Sequence, residues 1–90
     1  MPTRQLRDLA GIGPAMLKDF GLLHIGSVEQ LGQHDPVMLY DALCRLTATR
    51  QDPCVLDTFC AAVAQARDPN LPAEQCHWWY WSGIRKAKKK

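Results

Sequence analysis

The sequence predicts an all-α protein of five or six helices in a single domain. Two signals for a helix start, Asp35-Pro36 and Asp52-Pro53, each place a capping carboxylate before a proline that suits the first helical turn. The segment 54–67 is apolar on nearly all sides, so we expect it to be the central and most buried helix. The 90 residues, 47% of them hydrophobic, suit one globular domain.

The N-terminal stretch predicts two short helices joined by a tight turn. We expect the first over residues 3–9, with Thr3 as its cap, and the second to begin at Pro14. Gly11 and Gly13 allow a sharp turn between them, because a residue without a Cβ adopts positive φ at little cost. Backbone N–H groups at the start of the second helix would then attract a phosphate through hydrogen bonds and the helix dipole.

This stretch resembles the helix-hairpin-helix motif, which binds the DNA backbone without reading base sequence. The positions that match the motif are Leu6, Leu9, Gly11, Ile12 and Gly13. Members of the family often have a lysine two places after the second glycine and a small alanine two places beyond it, where this chain has Ala15 and Leu17. We expect Lys18 to replace the missing lysine from the next turn. The resemblance implies a site for the DNA backbone formed by Gly11, Ile12, Gly13, Ala15 and Lys18.

A weak internal repeat follows the first hairpin. Ser27 and Gln30 form a capping box at a short helix, residues 32–36 form a turn, and residues 37–46 form another helix. This second hairpin lacks the Gly-apolar-Gly pattern, and the charge of Asp35 would repel a phosphate. The pair is similar to the tandem helix-hairpin-helix units of SAM-like domains, such as the C-terminal domain of the bacterial RNA polymerase alpha subunit. We therefore expect tandem units, the second of them degenerate.

Charge is distributed unevenly along the chain. Residues 1–84 hold six basic and nine acidic residues, whereas residues 85–90 hold five basic ones. We expect residues 1–84 to form one helix-hairpin-helix domain whose last helix covers about 72–81, and residues 85–90 to form a basic, disordered tail. Because the body is mildly acidic, a DNA-binding face on it must be local.

The cysteines indicate neither a disulfide framework nor a metal site. None of them shows the C-x-x-C spacing that is typical of structural zinc. We expect free, packed thiols at Cys44, Cys54, Cys60 and Cys76. A reactive thiolate at Cys54, at a helix start near Arg50, is the alternative. We also expect Arg50 to pair with Asp57. No nucleophile with a base and no paired carboxylates stand at telling spacing, so we expect no catalysis, cofactor or metal.

Four consecutive aromatic residues, Trp78 to Trp81, lie on the last predicted helix. Trp78 and Trp81 are three residues apart and are able to share one face, whereas Tyr80 must point elsewhere. We expect two tryptophans to cover the small core and the other rings to form an interface or to lie at the rim. Stacking of exposed rings on nucleic-acid bases is the alternative.

The chain as a whole resembles the small pathogenicity-locus family, whose members are sometimes labelled mitomycin resistance proteins. The stretches that carry this resemblance are Leu9 to Pro14, Asp35-Pro36 with Leu39-Tyr40, Arg50 to Asp57, and Trp78-Trp79 with Trp81. The resemblance implies an all-helical bacterial protein linked to DNA damage or mitomycin resistance. It names no reaction.

Two functions are consistent with these patterns. One is a non-enzymatic, sequence-independent DNA-binding protein, in which Lys18 with Arg4 or Arg7 flanks a phosphate at the hairpin. The other is a protein-interaction module that keeps the fold and does not bind DNA. No apolar run approaches the ~20 residues that span a membrane, and the N-terminus lacks the apolar stretch of a signal peptide. We expect a cytoplasmic protein without a membrane partner, as a monomer or weak homodimer.

Overall fold

The computed structural model describes residues 4–88, which contain helices and loops and no strand. The elements in chain order are a 3₁₀ turn Leu6–Asp8, α1 Pro14–Leu22, α2 Val28–Gly32, α3 Pro36–Thr47, α4 Pro53–Arg67, a 3₁₀ turn Ala73–Cys76 and α5 Trp78–Lys88. The predicted all-α class is confirmed, with five α-helices in this range. None of these helices is long and apolar enough to cross a membrane.

Helix α4 lies at the centre of the molecule, as predicted. Helices α2, α3 and α5 pack against it. Its buried residues are Asp57, Phe59, Ala61, Ala62, Val63 and Gln65. Helix α1 contributes Phe20, whose ring centroid lies 5.8 Å from that of Phe59. Burial of each such large apolar side chain stabilises the fold by roughly 1.5–3 kcal/mol, so α4 and its neighbours account for most of the core.

The first element of the N-terminal hairpin is shorter than predicted. The structure forms a single 3₁₀ turn over Leu6–Asp8 in place of a helix over residues 3–9, and the expected cap, Thr3, lies outside the described residues. Leu9, buried in the core, adopts an extended conformation directly after the turn. So few residues cannot offset the cost of helix nucleation, and the buried, extended Leu9 ends the turn.

The C-terminal helix lies further along the chain than predicted. In place of one helix over about 72–81, the 3₁₀ turn Ala73–Cys76 precedes α5, which continues to Lys88. Arg85, expected in a disordered tail, lies within this helix and is half-buried. Residues 89 and 90 lie outside the described part of the chain.

A bidentate ion pair fastens α5 to α4. Arg85 Nε donates to Asp57 Oδ1 at 3.0 Å, and Arg85 Nη2 donates to Asp57 Oδ2 at 3.1 Å. Asp57 is only 1% exposed, so its charge depends on this partner. The predicted pairing of Asp57 with Arg50 is wrong. Arg50 is exposed in the loop before α4. Arg85 pairs with the carboxylate of Asp57 instead, because α5 extends beyond its predicted end.

Candidate nucleic-acid interface

The tight turn between the two N-terminal elements lies where it was predicted. Gly11 has a φ of +79°, in the left-handed region that favours glycine. The N–H of Ile12 donates to the carbonyl of Leu9 at 3.3 Å and closes the turn. The side chain of Ile12 is half-buried and packs against the core, as expected of a residue between the two elements.

Helix α1 begins without a side-chain cap. Gly13 occupies the N-cap position, and no side chain accepts a hydrogen bond from the first turn. Pro14 has no N–H, so the N–H groups of Ala15 and Met16 are the ones that helix geometry leaves without an intrahelical partner. Ala15 is exposed, so an anion from outside the protein can approach this end of the helix.

Glycine at position 13 is not required by the protein's own packing. Its φ of −105° is open to any residue, and a Cβ added there would have no neighbouring atom within 4 Å. Because residue 13 is glycine, the space in front of the N–H groups at the start of α1 is open. A side chain at this position would occupy that space.

The other helices with an assigned N-cap are closed from within the chain. The hydroxyl of Ser27 accepts from the N–H of Gln30 at 3.1 Å at the start of α2. Asp35 Oδ1 accepts from the N–H of Val37 at 2.8 Å at the start of α3. A third side chain, Asp52, caps α4. Among α1 to α4, the start of α1 alone has no side-chain cap.

Sequence reasoning missed Gln65, which holds the hairpin turn in place. Its Oε1 accepts from the N–H of Ala10 at 2.9 Å, and its Nε2 donates to the carbonyl of Ala10 at 3.0 Å. The same Nε2 lies 3.4 Å from the carbonyl of Cys76. Gln65 is 6% exposed on a predominantly apolar helix. A glutamine among apolar positions of a central helix was the signal in the sequence, because a buried side-chain amide needs hydrogen-bond partners.

Arg4 is an anchor of the fold and is not free to flank a phosphate. Its Nη1 donates to the carbonyl of Gln65 at 2.8 Å, and its Nη2 donates to the carbonyl of Ala66 at 3.3 Å. These bonds tie the N-terminal stretch to the last turn of α4, where cations complement the helix dipole. Of the two arginines expected beside the site, the structure leaves Arg7 exposed.

Lys18 is the exposed cation of α1. It follows Ala15 by three residues, so the two lie on the same face of the helix. Its neighbour Asp19 is half-buried; burial raises the pKa of the Asp19 carboxyl, and the ammonium of Lys18 opposes that shift. Of the predicted site, Gly11, Ile12 and Gly13 form the turn that precedes α1. Ala15 lies in the first turn of the helix, and Lys18 lies one turn further along it.

The four cysteines are free thiols. Burial raises the pKa of Cys60 to about 11, and the carboxylates of Asp57 and Asp35 add to that shift. The hydrogen bond to Asp52, together with burial, raises the pKa of the Cys54 thiol. These shifts oppose the reactive-thiolate interpretation of Cys54, which packs at the start of α4. Residues 4–88 contain no cluster of three or more side chains suited to a metal ion.

The aromatic residues at the start of α5 divide into an inner and an outer pair. Trp81 is half-buried, its Nε1 donates to the carbonyl of Gln75 at 2.8 Å, and Tyr80 meets its ring edge-on. Trp78 and Trp79 are 45% and 54% exposed. Two tryptophans were expected to cover the core. The structure half-buries Trp81 and leaves Trp78 and Trp79 exposed.

Over the described residues the chain is a small all-helical protein in which, among α1 to α4, α1 starts without a side-chain cap. The chain belongs to the pathogenicity-locus family, whose profile matches residues 2–87. It is similar to the mitomycin resistance protein McrB of Streptomyces lavendulae, with 37% identity over 81 residues, 90% of this chain and 73% of that protein. No solved structure matches the chain at a significant level. The family predicted from the sequence is confirmed.

Proposed function

We propose that this protein binds DNA through the phosphate backbone, without reading base sequence, at its first hairpin. The observation that supports this proposal is the uncapped start of α1, with open space at Gly13. Backbone N–H groups and the positive end of the helix dipole both favour a phosphate there. Contacts to phosphates carry no information about the bases, so binding of this kind is independent of sequence.

Each residue of the proposed site has a separate role. Gly11 makes the turn through its positive φ, and Gly13 leaves room for a phosphate oxygen. The amide of Ala15 donates to the phosphate, and Lys18 adds a charge from the same face of α1. Arg7, exposed on the 3₁₀ turn, is the remaining candidate for a flanking contact.

In this proposal the 3₁₀ turn with α1 is a shortened helix-hairpin-helix unit, and α2 with α3 is a degenerate second unit. The protein acts by binding alone, without catalysis or a cofactor, in the cytoplasm, as a monomer or weak homodimer. The relative from S. lavendulae is named for mitomycin resistance. We extend that link to this chain and propose that its DNA binding contributes to resistance to mitomycin.

A protein-interaction module is the second candidate function. The acidic balance of residues 1–84 disfavours polyanions. Helix α3 also exposes three large apolar side chains, as protein-binding surfaces do. These side chains are Val37, Met38 and Leu46, which are 52%, 62% and 60% exposed. In this case the hairpin is structural only, and the protein has no affinity for DNA.

A salt-dependent DNA titration separates the two candidates. The basic residues after Arg85 would dominate a simple assay, so Lys86, Lys88, Lys89 and Lys90 are replaced by glutamine. Arg85 is kept because it holds Asp57. Each duplex phosphate neutralised contributes about −0.9 to the slope of log affinity against log salt. We expect the substituted protein to keep weak binding with a slope of about −1 to −2. Loss of all binding at low salt in this folded variant would favour the interaction module.

A further inference from the structure

The hairpin turn and the start of α5 are direct neighbours. The side chain of Gln65 donates to the carbonyls of both Ala10 and Cys76. A Cβ on Gly11 would lie 4.0 Å from the carbonyl oxygen of Cys76. The chain that enters α5 therefore touches the turn that carries the proposed phosphate site.

The three residues that follow Cys76 form an exposed aromatic surface, here termed the aromatic patch: His77, Trp78 and Trp79. The rings of His77 and Trp79 are stacked, with centroids 5.5 Å apart and planes inclined by 11°. A chain advances at most about 3.6 Å per residue, so the Cα of Trp79 lies within about 11 Å of that of Cys76. The patch therefore begins at the residue that follows Cys76, whose carbonyl lies beside the hairpin turn.

We propose that the aromatic patch stacks on an unpaired base of the strand whose phosphate is held at the hairpin, so that the protein prefers single-stranded DNA to intact duplex. This inference rests on the proposed function of the hairpin. Stacking needs an aromatic face that solvent can reach, and Trp78 and Trp79 are about half exposed. Bases within a duplex are already stacked on their neighbours, whereas those of a single strand are free to stack on a protein ring.

The surroundings of the patch favour a nucleic-acid strand as its occupant. The first turn of α5 carries no acidic residue. The hairpin turn at Gly11 lies beside the carbonyl of Cys76, where the chain enters α5, and Lys86 is exposed further along the same helix. Stacking on aromatic side chains tolerates any base, in agreement with a backbone contact that reads no sequence. Each stacked base contributes about 5- to 150-fold in affinity.

Three labelled DNAs of equal length test the inference by fluorescence anisotropy at low salt. They are a single strand, a duplex, and a single strand with an abasic stretch that keeps its phosphates and lacks bases. We expect the intact chain to bind the single strand at least about fivefold more tightly than the other two. Quenching of tryptophan fluorescence is expected with the single strand and not with the abasic one. Equal affinity for the plain and abasic strands would overturn the inference.

The variants are chosen to separate the patch from the hairpin. Replacing Trp78 and Trp79 together by alanine is expected to remove the preference for the single strand and to leave duplex affinity unchanged. Met38→Ala, an exposed apolar residue on α3, is the matched control and should change neither affinity. Gly13→Asp puts a carboxylate in front of α1 and should weaken binding of all three DNAs. Circular dichroism checks that each variant is folded.

The outcomes distinguish the inference from the proposed function. If Gly13→Asp weakens binding and the double tryptophan variant still prefers the single strand, the hairpin proposal stands and the role of the patch is overturned. If the intact chain binds none of the three DNAs, both are overturned. Loss of the single-strand preference in the Met38→Ala control would also overturn the assignment to the patch.

Discussion

The two hairpins of this protein differ at the residue that precedes each second helix. Both helices have proline at the first helical position, Pro14 in α1 and Pro36 in α3. The residue before Pro14 is Gly13, which offers no side chain, whereas Asp35 accepts from the N–H of Val37 at 2.8 Å. A carboxylate of the chain accepts a hydrogen bond at the start of the second helix. The N–H groups at the start of the first helix have no side-chain acceptor and are able to bind an external anion. In the proposed function, this one N-cap residue determines whether a hairpin is structural or available to DNA.

Both hairpins are fastened by polar side chains from the end of α4. Gln65 bonds both backbone groups of Ala10 in the first hairpin. Arg67 donates to the carbonyls of Gly32 and His34 in the second, at 2.8 and 3.1 Å. Each turn is therefore tied to α4 by two side-chain hydrogen bonds, through a buried amide in the first hairpin and an exposed guanidinium in the second.

The largest expected effect on stability is at the ion pair that fixes α5 to α4. Side chains of α4 also hold the turns of both hairpins. Arg85→Ala leaves the carboxylate of Asp57, 1% exposed, without its partner. An unpaired buried charge is costly, so we expect a loss of about 3 kcal/mol in the free energy of unfolding. Urea denaturation measures it. Lys86→Ala, one residue further on and exposed, is the control and should change stability by less than about 0.5 kcal/mol.

The anchors of the two hairpins are expected to contribute unequally. Gln65→Ala leaves the N–H and carbonyl of Ala10 without their partner, so we expect a loss of about 2 kcal/mol. Arg67→Ala removes two bonds from an exposed side chain and should cost about 1 kcal/mol. Denaturation curves of the two variants provide the comparison. Equal losses would contradict the account that the first hairpin depends on a buried amide.

The two substitutions that exchange the caps should each change stability slightly, in opposite directions. Gly13→Asp adds a capping carboxylate to α1, and we expect a gain of about 0.3 kcal/mol. Asp35→Gly removes the cap of α3 and should cost about 0.3 kcal/mol. Thermal unfolding followed by circular dichroism detects the direction of each change. A large destabilisation by Gly13→Asp would show that the space before α1 is not open.

Local chemistry predicts much of this structure, because caps and turns depend on residues a few positions apart. The turn at Gly11 and Gly13 lies where it was expected, and Asp35 and Asp52 cap their helices as expected. The N-terminal 3₁₀ turn departs from the predicted helix since tertiary packing of Leu9 overrides a short helical pattern.

The contacts that hold the candidate site could not be predicted in the same way, because they join distant parts of the chain. Arg4 bonds carbonyls of α4 that are 61 and 62 residues away, and Gln65 reaches Ala10 across 55 residues. Arg85 reaches Asp57 across 28 residues. Only the fold brings these partners together, and an arginine in a basic C-terminal stretch gives no local sign of a buried partner.

The most direct test of the central claim is DNA affinity after exchange of the two caps. Duplex titrations at low salt would compare Gly13→Asp with Asp35→Gly, each in the background that lacks the four C-terminal lysines. A charge-assisted hydrogen bond is worth about 1.5–3 kcal/mol, so we expect Gly13→Asp to lower affinity by about ten- to hundredfold. Asp35→Gly should bind at least as tightly as its parent. If the folded Gly13→Asp variant bound DNA as tightly as the parent, the start of α1 would not be the DNA-binding site.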